Sequence, residues 1–424
     1  MQLSDVFGSR RTQLAPLMET ASATDQGERF RELVLAQPLD ATLARAVREA
    51  GRAFAERAEI EEGMLTSGAF GGQQPYVDYY PAVPAKLDPL DECGGFYAFA
   101  DYAPLGSDAW MARSELPSVT AAGGLLRLVF HRPLRAHEGK DLRFVPPPSR
   151  ETLADVEEKL KAMISATARV VPVARKEMFA RLRVLLADYE FAREHASSAG
   201  AFNAIWSART FRRIGFRAPL LSLADLVASD DLLPSIAETL ALFIRERRAV
   251  AECVAEALAL DDEHTLHFTG KGEDHVPLAI ADGNGTRQPV RFDGDRLVAN
   301  GQALDAGPDA ASLAEFLRVN RGRWSLDVFA PLFLFRAGVT GIVNGRGSIR
   351  YSLVLGKVMH RLFGVAHPPN LLCSCSPPPA GPFAEAVRRT LGDEAVRGCE
   401  PTLIQRLLYD EPETIRRQIA ESWR

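Results

Sequence analysis

The stretch of this chain whose residue types best suit ligand chemistry runs from residue 344 to residue 351 and reads NGRGSIRY. An apolar run at 339–343 precedes it and a helical pattern follows it, which predicts a strand, a glycine turn and a helix start. Such a turn places backbone N–H groups at the carboxyl end of a strand, where open α/β sheets bind ligands. A helix N-terminus favours an anion; Arg346 and Arg350 add positive charge, and Ser348 adds a hydroxyl.

Two common phosphate-binding motifs do not fit this segment. A P-loop needs Lys and then Ser or Thr after its second glycine, whereas Gly347 is followed by Ser348 and Ile349. The dinucleotide fingerprint GxGxxG needs a third glycine at the position that Arg350 occupies. The segment is therefore a ligand loop of another kind, or a tight connection whose glycines only let the chain turn, and both interpretations stay open.

Four residues of metal-ligating types lie close together in sequence: His264, His267, Asp274 and His275. The local pattern is that of a strand, on which side chains three positions apart point to opposite faces. We therefore interpret these residues as exposed hairpin side chains rather than as a metal site.

A second group of this kind comprises Cys373 and Cys375, with His360 and His367 upstream. Zinc sites usually contain two pairs of ligands at CxxC-like spacing, which this segment lacks. We interpret the two cysteines as small apolar residues that lead into the proline run at 377–379.

Composition limits the classes of protein to which the chain can belong. It has 424 residues, 46 % of them hydrophobic and 25 % charged, enough for two or three domains or one large domain with insertions. The formal net charge of −5 provides no strong field for nucleic acid or an anionic membrane. Five cysteines, an odd number, do not form a disulfide framework. No signal peptide or membrane span is evident, so we expect a cytoplasmic protein.

The N-terminal third contains one clear helix and one long irregular stretch. Residues 40–58 are predicted to be helical, with Asp40 as the N-cap. The face of this helix that we expect to be buried carries Leu43, Val47, Ala50 and Phe54. Residues 63–122 are rich in Pro and Gly, which break regular elements. The tyrosines in this stretch (76, 79 and 80) could stack on a ligand or pack on the core, and the adjacent acids at 91–92 are typical of a solvated loop.

The middle of the chain, from about 152 to 256, is predicted to be almost wholly helical. Three start signals occur in it, each a hydroxyl residue with an acid three positions later: Thr152, Ser222 and Ser235. The helix that begins near Ser235 is long and amphipathic.

The pattern then changes to the period of a strand. Residues 264–304 alternate in short segments separated by DGNG (282–285) and DGD (293–295), where Gly and Asn tolerate positive φ. We expect a small antiparallel meander there. Ser312 is predicted to open another helix, and the tail at 382–424 is predicted to be helical.

Strands and helices also alternate along the chain. The segment GLLRLVFHR (124–132) has the composition of a buried strand, and the apolar run at 339–343 leads directly into a helix. This alternation indicates an α/β fold with a mainly parallel sheet.

The same residues resemble a known family, the cysteine-adding enzymes of bacillithiol biosynthesis. That family has a strand followed by Gly-Gly-Pro-Gly-Glu-Ile-x-Tyr and a helix that ends near Phe-Gly-x-x-x-Pro. The matching residues here are Gly345, Gly347, Ile349, Tyr351, Phe363, Gly364 and Pro368. Arg346 stands for the proline and Ser348 for the glutamate.

Two further segments are similar to the same family. The run GGQQP (71–75) resembles its Thr-Gly-Gln-Gln-Pro loop. The run WSLDVFAPLFLFRAGVTG resembles its S-x-N-x-x-x-R-P segment, with Pro331 kept, Ala330 in place of the arginine, and Ser325 one residue too close.

The resemblance implies a Rossmann-like core with a large helical insertion and a small antiparallel β meander, in a homodimer. It divides the chain into an N-terminal part of the core with an irregular loop region (1–150), a helical connecting region (151–262), the meander (263–305), the C-terminal part of the core (306–380) and a helical tail (381–424) that is short beside the family's coiled coil.

The resemblance also implies a ligase of thiol metabolism. The family joins the carboxylate of cysteine to the amine of a glucosaminyl-malate, forming a C–N bond. The residues implied to bind such a small polar metabolite are Gln73, Gln74, Asn344, Gly345, Arg346, Gly347, Ser348, Arg350 and Tyr351. Gln side chains offer neutral hydrogen-bond donors and acceptors, and Arg side chains bind carboxylates. No catalytic residue, metal or certain cofactor is assigned; ATP or ADP stays open, and neither nucleic acid nor membrane is expected as a partner.

This chain lacks the glutamate and the arginine of the family, which are both charged groups at the implied site. Three functions therefore remain open. The first is the ligase-like enzyme, with an unchanged or changed substrate, which requires the loops at 71–75 and 344–351 to converge. The second is a non-catalytic ligand-binding or accessory relative, whose pocket would lack a usable acid or base. The third is a helical protein-interaction module, whose long helices would expose an apolar stripe.

Overall fold

The fold is mixed α/β. The computed structural model describes residues 40–58, 70–72, 95–105, 113–117, 125–131, 134–170, 175–213, 218–261, 266, 268, 270–345, 351–368 and 370–373. Across these ranges, no helix has both the length and the apolar character needed to cross a membrane.

The described helices and strands alternate along most of the chain. The helices are α1 (Ala41–Ala58), α2 (Arg150–Val170), α3 (Arg175–His195), α4 (Ala199–Arg213), α5 (Leu223–Val227), α6 (Leu233–Arg245), α7 (Arg247–Leu258), α8 (Ala310–Val319), α9 (Ala330–Arg336) and α10 (Tyr351–Phe363). The strands are β1 (Phe70–Gly72), β2 (Phe96–Phe99), β3 (Arg113–Pro117), β4 (Leu125–Val129), β5 (Leu220–Ser222), β6 (His275–Ala281), β7 (Arg287–Asp293), β8 (Arg296–Ala299), β9 (Gln302–Ala303), β10 (Trp324–Leu326), β11 (Ile342–Gly345) and β12 (Asn370–Cys373).

A five-stranded parallel sheet forms the centre of the fold, in the order β12-β11-β1-β2-β5. The strand that comes first in the chain, β1, is the middle strand, and it pairs in parallel with β11 on one side and β2 on the other. Phe70 lies opposite both Ile342 and Phe96. Phe99 at the end of β2 lies opposite Ser222 at the end of β5. The expected mainly parallel sheet is therefore present.

Both faces of this sheet are covered, as parallel sheets require. Side chains alternate between faces along a strand. In β2, Phe96 and Ala98 belong to one buried cluster, and Tyr97 and Phe99 belong to another. The second cluster includes buried residues of α2, α3 and α4, whereas the first includes those of α6, α7, α9 and α10.

Strands β1, β2 and β5 correct two sequence-based expectations. The stretch 63–122, predicted to be irregular, contains β1, β2 and β3, and the range 152–256, predicted to be helical, contains β5. The strands of the parallel sheet in these ranges have three or four residues, so they are too short to show a periodicity. All four residues of β2 are buried, which removes the alternation that marks a half-exposed strand.

The antiparallel meander is present, with one change at its start. Strands β6 to β9 form it in chain order, and β10 adds to its β6 edge. DGNG and DGD are hairpin turns as predicted, and a third turn holds Asn300 at φ 49° and Gly301 at φ 74°. The described residues Leu266 and Phe268, within the predicted range 264–304, are buried without forming a strand, and the described meander begins at His275. Alternating apolar residues that anchor a connection to the core give the same sequence pattern as a strand.

Two predicted N-caps are confirmed. Asp40 Oδ1 accepts hydrogen bonds from the N–H groups of Thr42 at 2.8 Å and Leu43 at 3.3 Å, which caps α1. The four apolar residues predicted for the inner face of α1 are all buried. Ser222 Oγ accepts from the N–H of Asp225 at 3.0 Å, which caps α5.

Three other predicted caps are displaced by about one turn. Helix α2 is capped by Ser149, not Thr152; α6 begins at Leu233, so Ser235 lies in its first turn; and α8 is capped by Asp309, not Ser312. Hydroxyl residues are common both at a cap and in the first turn, so the pattern alone does not fix the first residue. The long helix predicted from Ser235 is two helices, α6 and α7, separated at Glu246.

We predict that Asp309→Ala lowers the free energy of unfolding by about 1 kcal/mol, because the side chain accepts from the N–H of Ser312 at 3.0 Å and thereby caps α8. Asp305 is an exposed aspartate nearby, so Asp305→Ala is the matched control and should change stability by less than about 0.5 kcal/mol. Urea unfolding of both variants measures this, and equal losses would contradict the cap assignment.

Candidate functional site

The structure describes three of the nine predicted binding residues. Asn344 and Gly345 are the last residues of β11, and Tyr351 is the first residue of α10. The other six lie outside the described residues: Gln73, Gln74, Arg346, Gly347, Ser348 and Arg350. The tyrosines and paired acids of the 63–122 stretch and the tail at 382–424 also lie outside them.

The strands that lead into the two predicted loops are neighbours. Because β1 and β11 are parallel, their carboxyl ends lie at the same edge of the sheet. From the pair Phe70 and Ile342, β1 continues two residues to Gly72 and β11 continues three residues to Gly345. Adjacent strands are about 4.8 Å apart. The chain therefore leaves the sheet toward both predicted loops from adjacent points.

Tyr351 connects this edge to the core behind it. It is half-buried, and its ring centroid lies 5.4 Å from that of Phe268. Phe268 is buried and also lies 5.3 Å from the ring of Phe329. The start of α10 is thus held in place by an aromatic cluster.

A polar cleft of about 410 Å³ opens at the same carboxyl edge, beside β2 and β5. Its walls come from α1, the end of α3, the start of α4, and the β5–α5 junction. Its ionisable lining residues include Glu49, Arg57, Asp101, Arg143, His195 and Asp225. This volume suits a small ligand.

Asp101 is the most unusual residue of the cleft. It comes two residues after β2, and its carboxyl group accepts hydrogen bonds from Ser222 Oγ at 2.5 Å and from the N–H of Ala224 at 3.1 Å. Burial raises the pKa of Asp101 to about 6, against the opposing effect of these two hydrogen bonds. A carboxyl group with a perturbed pKa in a cleft is a typical feature of functional sites.

Ser222 has two roles at this position. Its hydroxyl accepts from the N–H of Asp225 and donates to Asp101, so its one proton and one of its lone pairs are committed. The sequence predicted only the first role. Asp101 was missed, since it becomes a candidate only when the short run before it is recognised as a core strand whose end carries a carboxylate.

Gly200 allows helix α4 to approach Asp101. A Cβ atom at Gly200 would lie 2.5 Å from the backbone oxygen of Asp101, closer than any real contact. The first turn of α4, where Ser198 Oγ accepts from the N–H of Ala201 at 3.2 Å, therefore lines the cleft. Only a residue without a side chain fits this approach.

The arginines that line the cleft are partnered by carboxylates. Arg57 pairs with Asp225, and Arg321 pairs with Asp230. The third, Arg143, donates from Nε and Nη2 to the buried carboxylate of Asp141 at 3.0 and 2.7 Å, and from Nη2 to the carbonyl of Trp324 at 2.9 Å. The positive charges around Asp101 are therefore largely neutralised by other acids.

A second buried polar cluster lies beside the meander. Asp327 contacts Lys271 Nζ and lies 2.9 Å from His275 Nε2, and its own side chain is 11 % exposed. Burial alone would raise the pKa of Asp327, but His275 and Lys271 hold it well below its usual range. The prediction that His275 is exposed is therefore wrong, because its ring is buried against a carboxylate. Asp274 instead binds Arg291 at 2.8 Å. His264 and His267, the other two members of this group in the sequence, lie outside the described residues.

The cysteine–histidine group considered from the sequence is only partly described. Cys373 ends β12 opposite Gly345, and Cys375 lies outside the described residues. His360 is exposed on α10, and the His367 ring lies 4.9 Å from the Phe335 ring. In the described ranges, no three His, Cys, Asp or Glu side chains are grouped as metal ligands.

Comparison of the sequence with models of known protein families and with curated proteins finds no match. The site is therefore defined by its own geometry. It consists of the adjacent ends of β1 and β11 and of the cleft at the ends of β2 and β5, all at one edge of the sheet.

We predict that Gly200→Ala lowers the free energy of unfolding by about 1–3 kcal/mol, because the new methyl group meets a backbone oxygen that cannot move alone. Gly51→Ala is the matched control within α1, where the new methyl group would lie 3.8 Å from Pro219 Cβ in ordinary contact. That variant should be neutral or more stable by up to about 1 kcal/mol, since Ala favours helix. Denaturant unfolding separates the two, and equal stabilities would contradict the close approach of α4.

We predict that Asp327→Asn lowers the free energy of unfolding by about 3 kcal/mol at pH 7, because it leaves Lys271 and His275 without their shared carboxylate. A carboxyl group whose folded pKa is lowered stabilises the fold above its unfolded pKa of about 4, and this contribution declines as the pH falls further. The difference between wild type and variant should therefore be constant from pH 7 to 5 and smaller at pH 3. Urea unfolding at each pH tests this; Asp295→Asn, in an exposed turn, is the control.

Proposed function

We propose that this protein is a C–N bond-forming, ligase-like enzyme that acts on small polar metabolites and resembles the cysteine-adding enzymes. In the proposed reaction, an activated carboxylate of an amino acid is the electrophile and an amine of a polar partner is the nucleophile. The observation that carries the proposal is the adjacency of β1 and β11, which starts the two predicted binding loops from neighbouring points.

The order of the parallel strands supports the proposed Rossmann-like core. Numbered by their position in the chain, the five strands have the order 3-2-1-4-5 across the sheet. Doubly wound nucleotide- and metabolite-binding folds have this order, with the ligand at the carboxyl ends of strands where the order reverses. Here the reversal lies between β1 and β11, and these strands precede the segments 73–75 and 346–350.

The proposed roles of the loop residues follow from their chemistry. Gln73 and Gln74 hydrogen-bond the hydroxyl groups of a polar substrate, and Arg346 and Arg350 bind a carboxylate. Ser348 and Ala330 stand where the family has its glutamate and arginine, so the positive charge for a carboxylate comes from Arg346 and Arg350 instead.

Two observations favour an enzyme over the two other functions. A non-catalytic relative would have a pocket without a usable acid or base, whereas the cleft contains Asp101, whose pKa near 6 suits proton transfer at neutral pH. An interaction module would expose an apolar stripe on α2, α3 and α4. In the described part of the chain, the exposed large hydrophobic residues are Phe144, Val184, Val319 and Val365, and only Val184 lies on these helices.

Incubation of the protein with cysteine and glucosaminyl-malate, analysed by mass spectrometry, tests the proposal. The expected product has the mass of the condensed pair, and arms with and without ATP and Mg²⁺ show how the carboxylate is activated. Gln73→Ala and Arg346→Ala should lower the rate by about tenfold to a hundredfold, since hydrogen bonds to charged groups contribute roughly 1.5–3 kcal/mol.

The matched controls are Gln302→Ala and Arg296→Ala, which remove the same side-chain types from exposed positions of the meander. They should keep the wild-type rate. If folded wild-type protein forms no product in any arm, the assignment to this pair of substrates is wrong, and other amino acid and amine pairs become the candidates.

A further inference from the structure

We propose that the cleft around Asp101 is the binding site for the amino group of the amine-bearing substrate, and that Asp101 accepts a proton from that group as the C–N bond forms. This inference rests on the proposed function, because it assigns one of its two substrates to a place in the fold. The ligand class is a primary amine on a small polar molecule such as an amino sugar.

The position of Asp101 suits this role. It follows β2, which is the neighbour of β1 in the sheet, and the cleft lies at the carboxyl ends of β2 and β5. The end of β5 is two strand spacings, or about 10 Å, from the end of β1. An amino sugar with one polar substituent can span that distance, so its amine can lie near Asp101 while its other end lies near the carboxyl end of β1.

The charges of the cleft favour a cation at Asp101. Among the described residues, the arginines that line the cleft are each paired with a carboxylate other than Asp101: Arg57, Arg143 and Arg321. Among the described residues, Asp101 forms no ion pair; Arg143 acts on it only at longer range, while its guanidinium binds Asp141. An ammonium group would supply the missing positive charge and three N–H donors.

The carboxyl group of Asp101 is oriented for this contact and has acceptor capacity left. Ser222 and Ala224 each donate one hydrogen bond to it, to different oxygens, which fixes its plane. A carboxylate has about four acceptor positions, so two remain for an ammonium group. The raised pKa makes Asp101 a stronger base than an exposed aspartate while leaving it mostly ionised at neutral pH.

Asp101 takes one proton from the bound ammonium group, which frees the nitrogen lone pair to attack the carbonyl carbon of an acyl donor that carries a leaving group, such as an acyl phosphate. The bond between carbon and the leaving oxygen breaks, and its electron pair stays with that oxygen. A second N–H proton passes from nitrogen to solvent, and Asp101 then releases its own proton to solvent.

Binding of glucosamine and of glucose, which differ by one amine in place of one hydroxyl, tests the inference without requiring any reaction. Ligand-observed NMR titration of the full chain at pH 7.5 should show glucosamine binding at least tenfold more tightly than glucose. Asp101→Asn should abolish this preference. Asp305→Asn, which makes the same change at an exposed position outside the cleft, should keep it.

Each outcome decides the inference. No preference in wild type, a preference that survives in folded Asp101→Asn, or a preference lost in Asp305→Asn would overturn it. If Asp101→Asn does not fold, the wild-type titration still decides, together with protection of the cleft. Glucosamine should slow hydrogen exchange at Ala224 and Ala201, and unchanged exchange at both would overturn the assignment.

The two proposals fail separately. Glucosamine binding that depends on Asp101, without condensation of cysteine and glucosaminyl-malate, would retain the amine site and reject that substrate pair. Condensation at the wild-type rate by Asp101→Asn would retain the proposed function and reject the role of Asp101. A preference for cysteine over 3-mercaptopropionate that depends on Asp101, without one for glucosamine, would place the amino acid in the cleft and overturn the inference.

Discussion

The arrangement of this protein depends on the parallel pairing of β1 with strands on both of its sides. Strand β1 has only three residues, two of them glycine, yet it connects β2 to β11 and so joins the early part of the chain to the late part. Parallel strands require crossover connections, and these place helices on both faces of the sheet. The same pairing directs the carboxyl ends of all five strands to one edge, where the candidate site lies.

Partial burial of Asp101 at that edge is compatible with a stable fold because each of its carboxyl oxygens accepts a hydrogen bond. The carboxyl group accepts from Ser222 and from the backbone of Ala224, and Ser222 in turn caps α5. Strand β2, strand β5 and the helix after it are thereby fixed relative to one another. A carboxylate held in this way does not need to reorganise when a ligand binds, which is the condition for effective electrostatic catalysis.

The sequence predicted the long elements better than the short ones. Helix α1, its Asp40 cap and its buried face were predictable because 18 residues show a clear helical period. Strands β1, β2 and β5 were not, because three or four buried residues have no period, and their neighbours in the sheet lie far away in the chain. Asp101 was missed for the same reason, since its importance depends on the end of β2. The sequence also does not show which of two nearby polar residues caps a helix, as with Ser149 and Thr152 or Asp309 and Ser312.

Strand β1 lies between the two proposed subsites and ends in two glycines. The residues 346–350 follow the strand on one side of β1, and Asp101 follows the strand on the other side. A joining reaction requires two substrates to meet between their binding groups, which here is the end of β1. Gly71 and Gly72 carry no side chains, so reacting groups can approach the backbone there, as glycine allows elsewhere. A larger residue at the end of the central strand would separate the two halves of the edge, whereas glycine lets them act as one site.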